Sequence, residues 1–499
     1  MNFSFLTATK SSKKPHYHVV AAYQDTSKKK AVVKHKWNKE IAQAFKEMPN
    51  NSIFTGASES IFKFCSKDKK TIIIALGLGE ENKSNNEIIR KTTAKAYKAL
   101  KNDGLSEAVF DLDTFTSIKD TATKAKIITE TIVMSGYVFD KYKSKKDEPT
   151  LKKILFQTTD KIANKQNLLK NAQALGESVN LARELTNEVP NILNSETYAK
   201  LLQKDAAQLP GVQVKTLNKA QIKKEKMNLL LAVNAGSAYE PRLVHLTYTP
   251  KKKSKNKKHI ALVGKGITFD TGGYNLKPSA SIVTMKTDMG GSATLYAAFK
   301  AAVLSGCPHK LTCVLALTDN AVNENATMPD SIIKARNGKT VEILNTDAEG
   351  RLILADALDY TCELKPNVII DAATLTGACL VALGTEVCAV MGNEDKSIGE
   401  ILKAAKRQDE YLWQLPIIEE WRKDMKSKNA DLKNTGGSRF AGTVKAAAFL
   451  QEFIKNDIPW LHLDIAGVCD NQSHLPYCPS HGASGIMVRS VCDYILNYE

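Results

Sequence analysis

Four continuous apolar runs constrain the fold of this chain more than any other feature of its sequence. Each run is short enough for a single strand, and none shows the alternation of apolar and polar residues typical of a strand with one wet face. Strands without that alternation are found in sheets that helices cover on both faces. The runs are HIALVG (259–264), LTCVLAL (311–317), NVIIDAA (367–373) and WLHLDIA (460–466). They predict a central mixed sheet between layers of helices.

The first 150 residues contain the same kinds of segment on a smaller scale. TIIIALGLG (71–79) and SEAVFDL (106–112) predict strands, and the residues between them, 85–101, have helical spacing. Strands that alternate with helices indicate an α/β domain. A charged stretch ending in a proline, KSKKDEP (143–149), is typical of the end of such a domain.

The length of 499 residues suits two domains. Apolar residues at helical spacing within 160–187 predict a long helix that ends before Pro190 and connects them. We therefore expect an α/β fold with an N-terminal α/β domain over 1–155, a connecting helix over 156–190 and a larger C-terminal α/β domain over 191–499.

The chain is basic, with 70 Lys+Arg against 53 Asp+Glu and a formal net charge of +17. Such an excess raises nucleic acid as a partner. Six lysines lie in TPKKKSKNKKH (249–259), which predicts an exposed loop. No helix-turn-helix pattern and no interleaving of basic and aromatic residues supports this partner, so DNA binding stays an alternative, alone or beside another function.

The sequence predicts a cytoplasmic protein with no membrane partner. Its N-terminus lacks the apolar core of a signal peptide, and no uncharged apolar run reaches the length of a membrane span. The nine cysteines are scattered, without a CxxC pair, so we expect reduced, buried thiols rather than disulfides or a cysteine zinc site.

Charged residues gather at the ends of predicted apolar strands in two segments. They are Lys265, Asp270, Lys277 and Asp288 after the first run, and Asp347, Glu349 and Arg351 in ILNTDAEGRLILADAL. The carboxyl ends of strands are where α/β sheets form their sites. Buried and unpaired, such charges are strongly unfavourable, so their presence in both segments needs an explanation.

Two divalent cations roughly 3.5–4 Å apart are one explanation, because they need carboxylates to bridge and hold them. Asp347 and Glu349 are two residues apart, so in an extended chain they and Arg351 would point to the same side. Lys265 could be a ligand only as a neutral amine, which burial and a nearby dication favour. Lys277 would stay charged and polarise a carbonyl group. A buried network of ion pairs without a metal is the alternative that these residues alone leave open.

The segments resemble those of the cytosolic leucine aminopeptidase family, the two-metal exopeptidases. The resemblance covers about residues 170–499 and is carried by VGKGITFDTGGYNLKPS, MKTDMGG, NTDAEGRL, DAATLTGA, ADLKNTGG, AAAFLQEF and HLDIAG. Over 1–150 only the general plan of an α/β domain is similar. The resemblance implies an aminopeptidase that releases N-terminal residues from peptides, preferring Leu and similar apolar residues, by means of a metal-activated water.

The same resemblance implies a metal-binding role for five residues. Asp270 and Glu349 would bridge two divalent ions, either zinc or manganese. Lys265 and Asp288 would complete the tighter site, and Asp347 the more exchangeable one.

Further roles follow from the same matches. Lys277 would bind the scissile carbonyl oxygen, and Arg351 would hold a bicarbonate ion that acts as the general base. The substrate cleft would be lined by Met285, Asn345, Thr374, Leu375 and Gly377.

The resemblance also implies a homohexamer. Lys445 is a departure, because the family usually has a small polar residue there, and it leaves the substrate preference open. A different two-metal hydrolase, such as a phosphoesterase, is a third alternative, disfavoured because the cleft has no histidine ligands.

Overall fold

The computed structural model describes residues 1–6, 16–27, 30–34, 43, 45, 54–65, 71–148, 150–251 and 257–499. Residues 252–256 of the lysine cluster predicted as a loop lie outside these residues, as does Pro149. The chain divides into two compact units. The N-terminal unit comprises Met1–Asn180 and Ser473–Pro479, and the larger unit comprises Leu181–Gln472 and Ser480–Glu499.

The N-terminal unit is built on a mostly parallel sheet of seven described strands, in the order β1-β7-β6-β2-β5-β4 with β3 paired to β2. The strands are β1 (Asn2–Phe5), β2 (His16–Asp25), β3 (Lys30–Val32), β4 (Ile61–Cys65), β5 (Thr71–Gly77), β6 (Glu107–Asp111) and β7 (Lys153–Gln157). The two strands predicted from sequence here are β5 and β6, and both are confirmed.

Two helices pack on this sheet, α1 (Asn86–Asn102) and α2 (Thr121–Ser135). Each begins at a side chain that accepts hydrogen bonds from the first-turn amides, Asn85 for α1 and Asp120 for α2. Helix α1 confirms the helix predicted over 85–101. A third helix, α3 (Lys165–Asn187), begins in the N-terminal unit and ends in the larger one.

The larger unit contains a mixed eight-stranded sheet, in the order β16-β15-β18-β14-β10-β11-β9-β8. Its four central strands are the four apolar runs, and neighbours among them are parallel. They are β10 (His259–Asp270), β11 (Lys310–Asn320), β14 (Val368–Ala373) and β18 (Trp460–Asp464). Their side chains are buried almost throughout, which confirms a sheet covered on both faces.

The remaining elements of the larger unit flank this core. The strands are β8 (Val212–Leu217), β9 (Arg242–Tyr248), β12 (Ser331–Lys334), β13 (Thr340–Ile343), β15 (Cys388–Gly392), β16 (Leu412–Gln414) and β17 (Leu432–Lys433). Strands β12, β13 and β17 form a separate small sheet.

The helices of the larger unit differ widely in length. They are α4 (Ser195–Ala206), α5 (Lys219–Lys224), α6 (Asn228–Asn234), α7 (Ser279–Ile282), α8 (Gly290–Leu304), α9 (Gly350–Cys362), α10 (Gly377–Leu383), α11 (Asp395–Gln408), α12 (Glu419–Asp424), α13 (Gly442–Gln451) and α14 (Val488–Leu496). Helices α8 and α9 are buried along most of their length.

Two further predictions concern membranes and cysteines. Among the described residues, no helix combines the length and the hydropathy needed to cross a membrane. No disulfide joins any of the nine cysteines, all of which are described, and only Cys65 is exposed.

Candidate active site

The candidate site lies at the carboxyl edge of the parallel strands in the larger unit. Asp270 ends β10 and is paired in register with Asn320, which ends β11. The Asn320 amide nitrogen donates to Asp270 Oδ1 at 2.8 Å, and the backbone N–H of Gly272 donates to the same oxygen at 2.8 Å. These donors fix the Asp270 carboxylate at the sheet edge.

Lys265 lies inside β10 and directs its ammonium group into the same edge. Its Nζ lies 2.7 Å from Asp288 Oδ1 and 3.0 Å from Glu349 Oε1, and it donates to the main-chain oxygen of Thr374 at 2.9 Å. The side chain passes directly over Gly350. A Cβ at that position would stand 2.6 Å from Lys265 Cε, so only glycine leaves room for the lysine.

Lys277 bridges two further carboxylates. Its Nζ lies 2.8 Å from Asp270 Oδ2 and 2.6 Å from Asp347 Oδ1. On the other side of the cluster, the hydroxyl of Thr374 donates to Asp288 Oδ1 at 2.8 Å. All four predicted carboxylates are therefore held by one or both of the predicted lysines or by their neighbours.

The expectation of extended chain between Asp347 and Arg351 is wrong. Glu349 has helical dihedral angles (φ −73°, ψ −36°), and Arg351 lies in the first turn of α9. The turn forms because Asn345 Oδ1 accepts the Asp347 N–H at 2.8 Å. Even so, oxygens of three carboxylates converge, since Asp270, Asp347 and Glu349 offer atoms within 4.8 Å of one another.

Burial and mutual charge shift the pKa values of these groups. Burial alone would lower the pKa of Lys265, but the charges of Asp288, Glu349 and Asp270 outweigh it and raise that pKa. The pKa of Lys277 is also raised, because Asp270 and Asp347 outweigh burial. The pKa values of Asp288, Asp347 and Glu349 are raised, first by burial and then by the neighbouring carboxylates.

The residues present fit a site for divalent cations. Within the described chain, Asp288 Oδ2 and Glu349 Oε2 are buried and have no hydrogen-bond partner. Native proteins rarely leave buried carboxylate oxygens in this state, because desolvation without a partner is unfavourable. A set of carboxylate oxygens with one amine suits zinc, manganese and similar ions. Lys265 would have to lose its proton to become a ligand.

Arg351 stands beside this cluster as a buried cation. It is 9% exposed, its Nη1 donates to the main-chain oxygen of Asn434 at 2.8 Å, and its Nε has no partner among the described residues. Burial lowers the pKa of Arg351 to about 10, although Glu349 and Asp464 act in the opposite direction. Its guanidinium group borders a cavity of about 300 Å³.

The predicted substrate residues occupy different places around the cluster. Thr374 and Leu375 follow β14 and are half-buried, while Gly377 is exposed at the start of α10. Met285 is half-buried at the start of the short 3₁₀ helix Met285–Met289, which carries Asp288. Asn345 lines the cavity beside Arg351 and also holds the turn before α9.

Two positioning residues were missed by the sequence analysis. Asn320 binds Asp270, and its place at the end of an apolar run is the same signal that identified Asp270. Asn434 follows β17, and its Nδ2 donates to the main-chain oxygen of Asn345 at 2.6 Å. The main-chain oxygen of Asn434 accepts a hydrogen bond from Arg351 Nη1. No residue pattern short of the resemblance marks Asn434.

Comparisons with known proteins identify the family of the chain. The chain matches the N-terminal domain of the cytosol aminopeptidase family over residues 19–146 and the catalytic domain of that family over 180–492. A probable cytosol aminopeptidase of Persephonella marina is 40% identical over 435 residues, which are 87% of this chain and 86% of that protein. A probable cytosol aminopeptidase of Clostridium perfringens is 38% identical over 461 residues, or 91% of this chain and 92% of that protein.

A solved structure extends the comparison to the fold. The bottromycin maturation enzyme BotP in complex with Mn has a TM-score of 0.82 and 27% sequence identity, covering 96% of this chain and 98% of that chain. The chain thus has the two domains of a peptidase family, which places it among the hydrolases. The chain belongs to the cytosol aminopeptidase family, as the sequence motifs predicted. The family name also agrees with the predicted cytoplasmic location.

Proposed function

We propose that the protein releases N-terminal amino acids from peptides in the cytoplasm, with a preference for Leu and similar apolar residues. The observation that carries this proposal is the cluster of four carboxylates around Lys265 and Lys277, with buried oxygens of Asp288 and Glu349 that have no partner among the described residues.

The cluster would hold two divalent cations, either Zn²⁺ or Mn²⁺. Asp270 and Glu349 would be shared by both ions, Lys265 and Asp288 would belong to one, and Asp347 to the other. When bound, such ions supply Lewis acidity to a carbonyl and lower the pKa of a water molecule. A free α-amine on the substrate is a further ligand for such a centre, which accounts for cleavage from the N-terminus.

The two cationic side chains of the site would have separate tasks. Lys277 lies at the open side of the cluster, less buried than Lys265, and would bind the scissile carbonyl oxygen as negative charge develops on it. Arg351 has no carboxylate within ion-pair distance in the described chain and would hold a bicarbonate ion as the general base.

Substrate selection would fall to residues around the cluster. Met285, Asn345, Thr374, Leu375 and Gly377 would line the cleft. Met285 is flexible and apolar, which suits Leu or Met as the first side chain. The oligomer would be a homohexamer, and light scattering of the purified protein at a monomer mass would contradict that assembly.

The test is hydrolysis of a panel of amino-acid anilides by the purified enzyme, after metal stripping and after add-back of Zn²⁺ or Mn²⁺. Leucine anilide is expected among the best substrates, and Asp347→Ala is expected to abolish its cleavage while the circular dichroism spectrum stays unchanged. Undiminished cleavage by Asp347→Ala would contradict the proposed centre. Turnover of a nitrophenyl phosphate in place of the anilides would favour a phosphoesterase.

A further inference from the structure

We propose that Lys445 creates an anion-binding subsite next to the catalytic centre, which favours peptides that carry a carboxylate beyond the scissile bond. This inference rests on the proposed aminopeptidase function and deepens it by naming a class of substrate. The carboxylate has two sources, the C-terminus of a dipeptide or an acidic side chain on the second residue.

The cavity beside Arg351 is lined by cations. Arg351, Arg439 and Lys445 border it together with Asn345 and Ser438, and no carboxylate is among its lining residues in the described chain. Its volume of about 300 Å³ exceeds that of several water molecules, each of which occupies roughly 30 Å³ in the liquid. An anion the size of a carboxylate therefore has both room and opposite charge.

Lys445 is held in place for this task. It is only 7% exposed, its Nζ lies 2.7 Å from Asp424 Oδ2, and it donates to Ser438 Oγ at 3.3 Å. An ammonium group has three N–H donors, so one is left for a ligand in the cavity. The side chain runs across Gly436, where a Cβ would stand 2.6 Å from Lys445 Cδ, so the glycine is needed for this path.

Asp424 does not cancel the positive charge of the cavity. Its carboxylate also lies 3.6 Å from Lys433 Nζ and receives the backbone N–H of Gly437. One carboxylate thus faces two lysines, so positive charge is left over even when Arg351 is counted as neutralised by the bicarbonate proposed for it. Arg439 adds a further positive charge at the exposed rim of the cavity.

The subsite shares little of its lining with the residues proposed to line the substrate cleft. Of the residues proposed for the cleft, Met285, Thr374, Leu375 and Gly377 do not line the cavity, and Asn345 alone does. The space therefore suits the part of the peptide that leaves rather than its N-terminal residue. Buried, partly dehydrated cations interact with a carboxylate more strongly than exposed ones, since the local dielectric constant is lower.

Two pairs of peptides that differ by charge and little else test the proposal. The first pair is Leu-Gly and Leu-Gly-amide, and the second is Leu-Asp-amide and Leu-Asn-amide. We expect the wild-type enzyme, loaded with metal, to have a higher kcat/KM for the acid in at least one pair. In Lys445→Met the ratio of acid to amide should fall about tenfold, mainly through KM of the acid. The pair that responds identifies the source of the carboxylate.

Two variants control for indirect effects. Lys445→Arg keeps the charge and should keep most of the preference, whereas Lys433→Met removes a lysine that contacts the same Asp424 from outside the cavity and should not change the ratio. Ratios near one for the wild-type enzyme in both pairs, or a preference that persists in Lys445→Met, would overturn the proposal. A wild-type enzyme inactive on all four peptides and on leucine anilide would instead refute the aminopeptidase function itself.

Discussion

Both units bury an aspartate at the end of a parallel strand, but they deal with its charge differently. In the N-terminal unit, Asp111 ends β6, is completely buried, and accepts a hydrogen bond from the Asp113 N–H at 3.2 Å. No lysine or arginine of the described chain lies within ion-pair distance of it, and the nearby Lys124 donates to the oxygen of Leu112 instead. Burial, followed by the charge of Asp113, raises the pKa of Asp111 to about 7.

In the larger unit, Asp270 ends β10 in the same way but lies among other charges. Two N–H donors and Lys277 hold it, and the oxygens of Asp347 and Glu349 converge on it. A lone buried carboxyl group can take up a proton, whereas a cluster of carboxylates favours the binding of cations. The comparison teaches that a buried carboxylate becomes evidence for a site only when several converge and part of their oxygens lack partners.

Asparagine substitutions of Asp270 and Asp111 should differ most in their effect on kcat/KM. Asp270→Asn should reduce kcat/KM for leucine anilide at least 1,000-fold, because it removes a shared metal ligand. This reduction corresponds to an increase of about 4 kcal/mol in the activation free energy. Asp111→Asn, a matched change at a strand end in the other unit, should leave kcat/KM within about threefold. Steady-state kinetics with metal content measured by mass spectrometry gives the answer. Equal losses in the two variants would show that Asp270 acts through the fold.

One lysine from each unit gives the next contrast, Lys277 in the candidate site and Lys124 in α2. Lys277→Met should lower kcat about 100-fold, since loss of one group that stabilises an oxyanion typically has an effect of 10²–10³. Lys277→Arg keeps the positive charge and should retain part of the kcat that Lys277→Met loses. Lys124→Met in the N-terminal unit removes a buried lysine and should affect the melting temperature more than kcat. A normal kcat for Lys277→Met would rule out its proposed contact with the substrate.

Removal of metal should lower the stability of the larger unit and leave that of the N-terminal unit unchanged. A ligand at 100 times its dissociation constant stabilises the folded state by about 2.7 kcal/mol. Chelation should therefore speed amide hydrogen exchange around β10 and α9 by up to roughly 100-fold, while the exchange of β5 and β6 stays unchanged. Mass spectrometry of peptides from the exchanged protein measures both regions at once. Equal acceleration in both units would argue against a metal site confined to the larger one.

The smallest effect is a pH dependence in the N-terminal unit. The pKa of Asp111 is about 7 in the folded chain and 3.8 for the unperturbed group. The folded state therefore holds an extra proton between these values, and the free energy of unfolding falls as pH rises from about 4 to 7. Asp111→Asn should remove most of this decrease. The difference in the free energy of unfolding between pH 5 and pH 8 should become smaller by on the order of 1–3 kcal/mol. Urea denaturation at pH 5 and pH 8, followed by hydrogen exchange of β6, tests this, and an unchanged slope would contradict it.

Much of the larger unit could be predicted because burial leaves a direct trace in the sequence. Strands covered on both faces must be apolar throughout, so the runs at β10, β11, β14 and β18 were visible without any structure. Charged residues at the ends of such runs stand out for the same reason. Lys265, Asp270, Lys277 and Asp288 were found in this way after the run of β10. Asp347, Glu349 and Arg351 were found in a second segment, ILNTDAEGRLILADAL, before the resemblance gave any of the seven a role.

The rest depended on contacts between residues distant in sequence. The turn before α9 forms because Asn434 and Asn345 hold it, and Asn434 lies 89 residues from Asn345. The spacing alone therefore predicted extended chain for Asp347, Glu349 and Arg351, which is wrong. Lys445 was visible only as a departure from the family pattern, and its meaning depends on a cavity formed by two segments that are distant in sequence, 345–351 and 435–445.

The return of residues 473–479 to the N-terminal unit has a consequence for how the gene can be divided. Tyr477 in this segment donates to Glu87 in α1 at 2.9 Å, so the N-terminal unit is completed by a piece of chain synthesised almost last. A fragment that stops at residue 180 lacks this piece, and a fragment that starts at 181 carries it without its partners. Neither fragment therefore corresponds to a complete unit, and during synthesis the N-terminal unit gains its last contacts only when nearly the whole chain has been made.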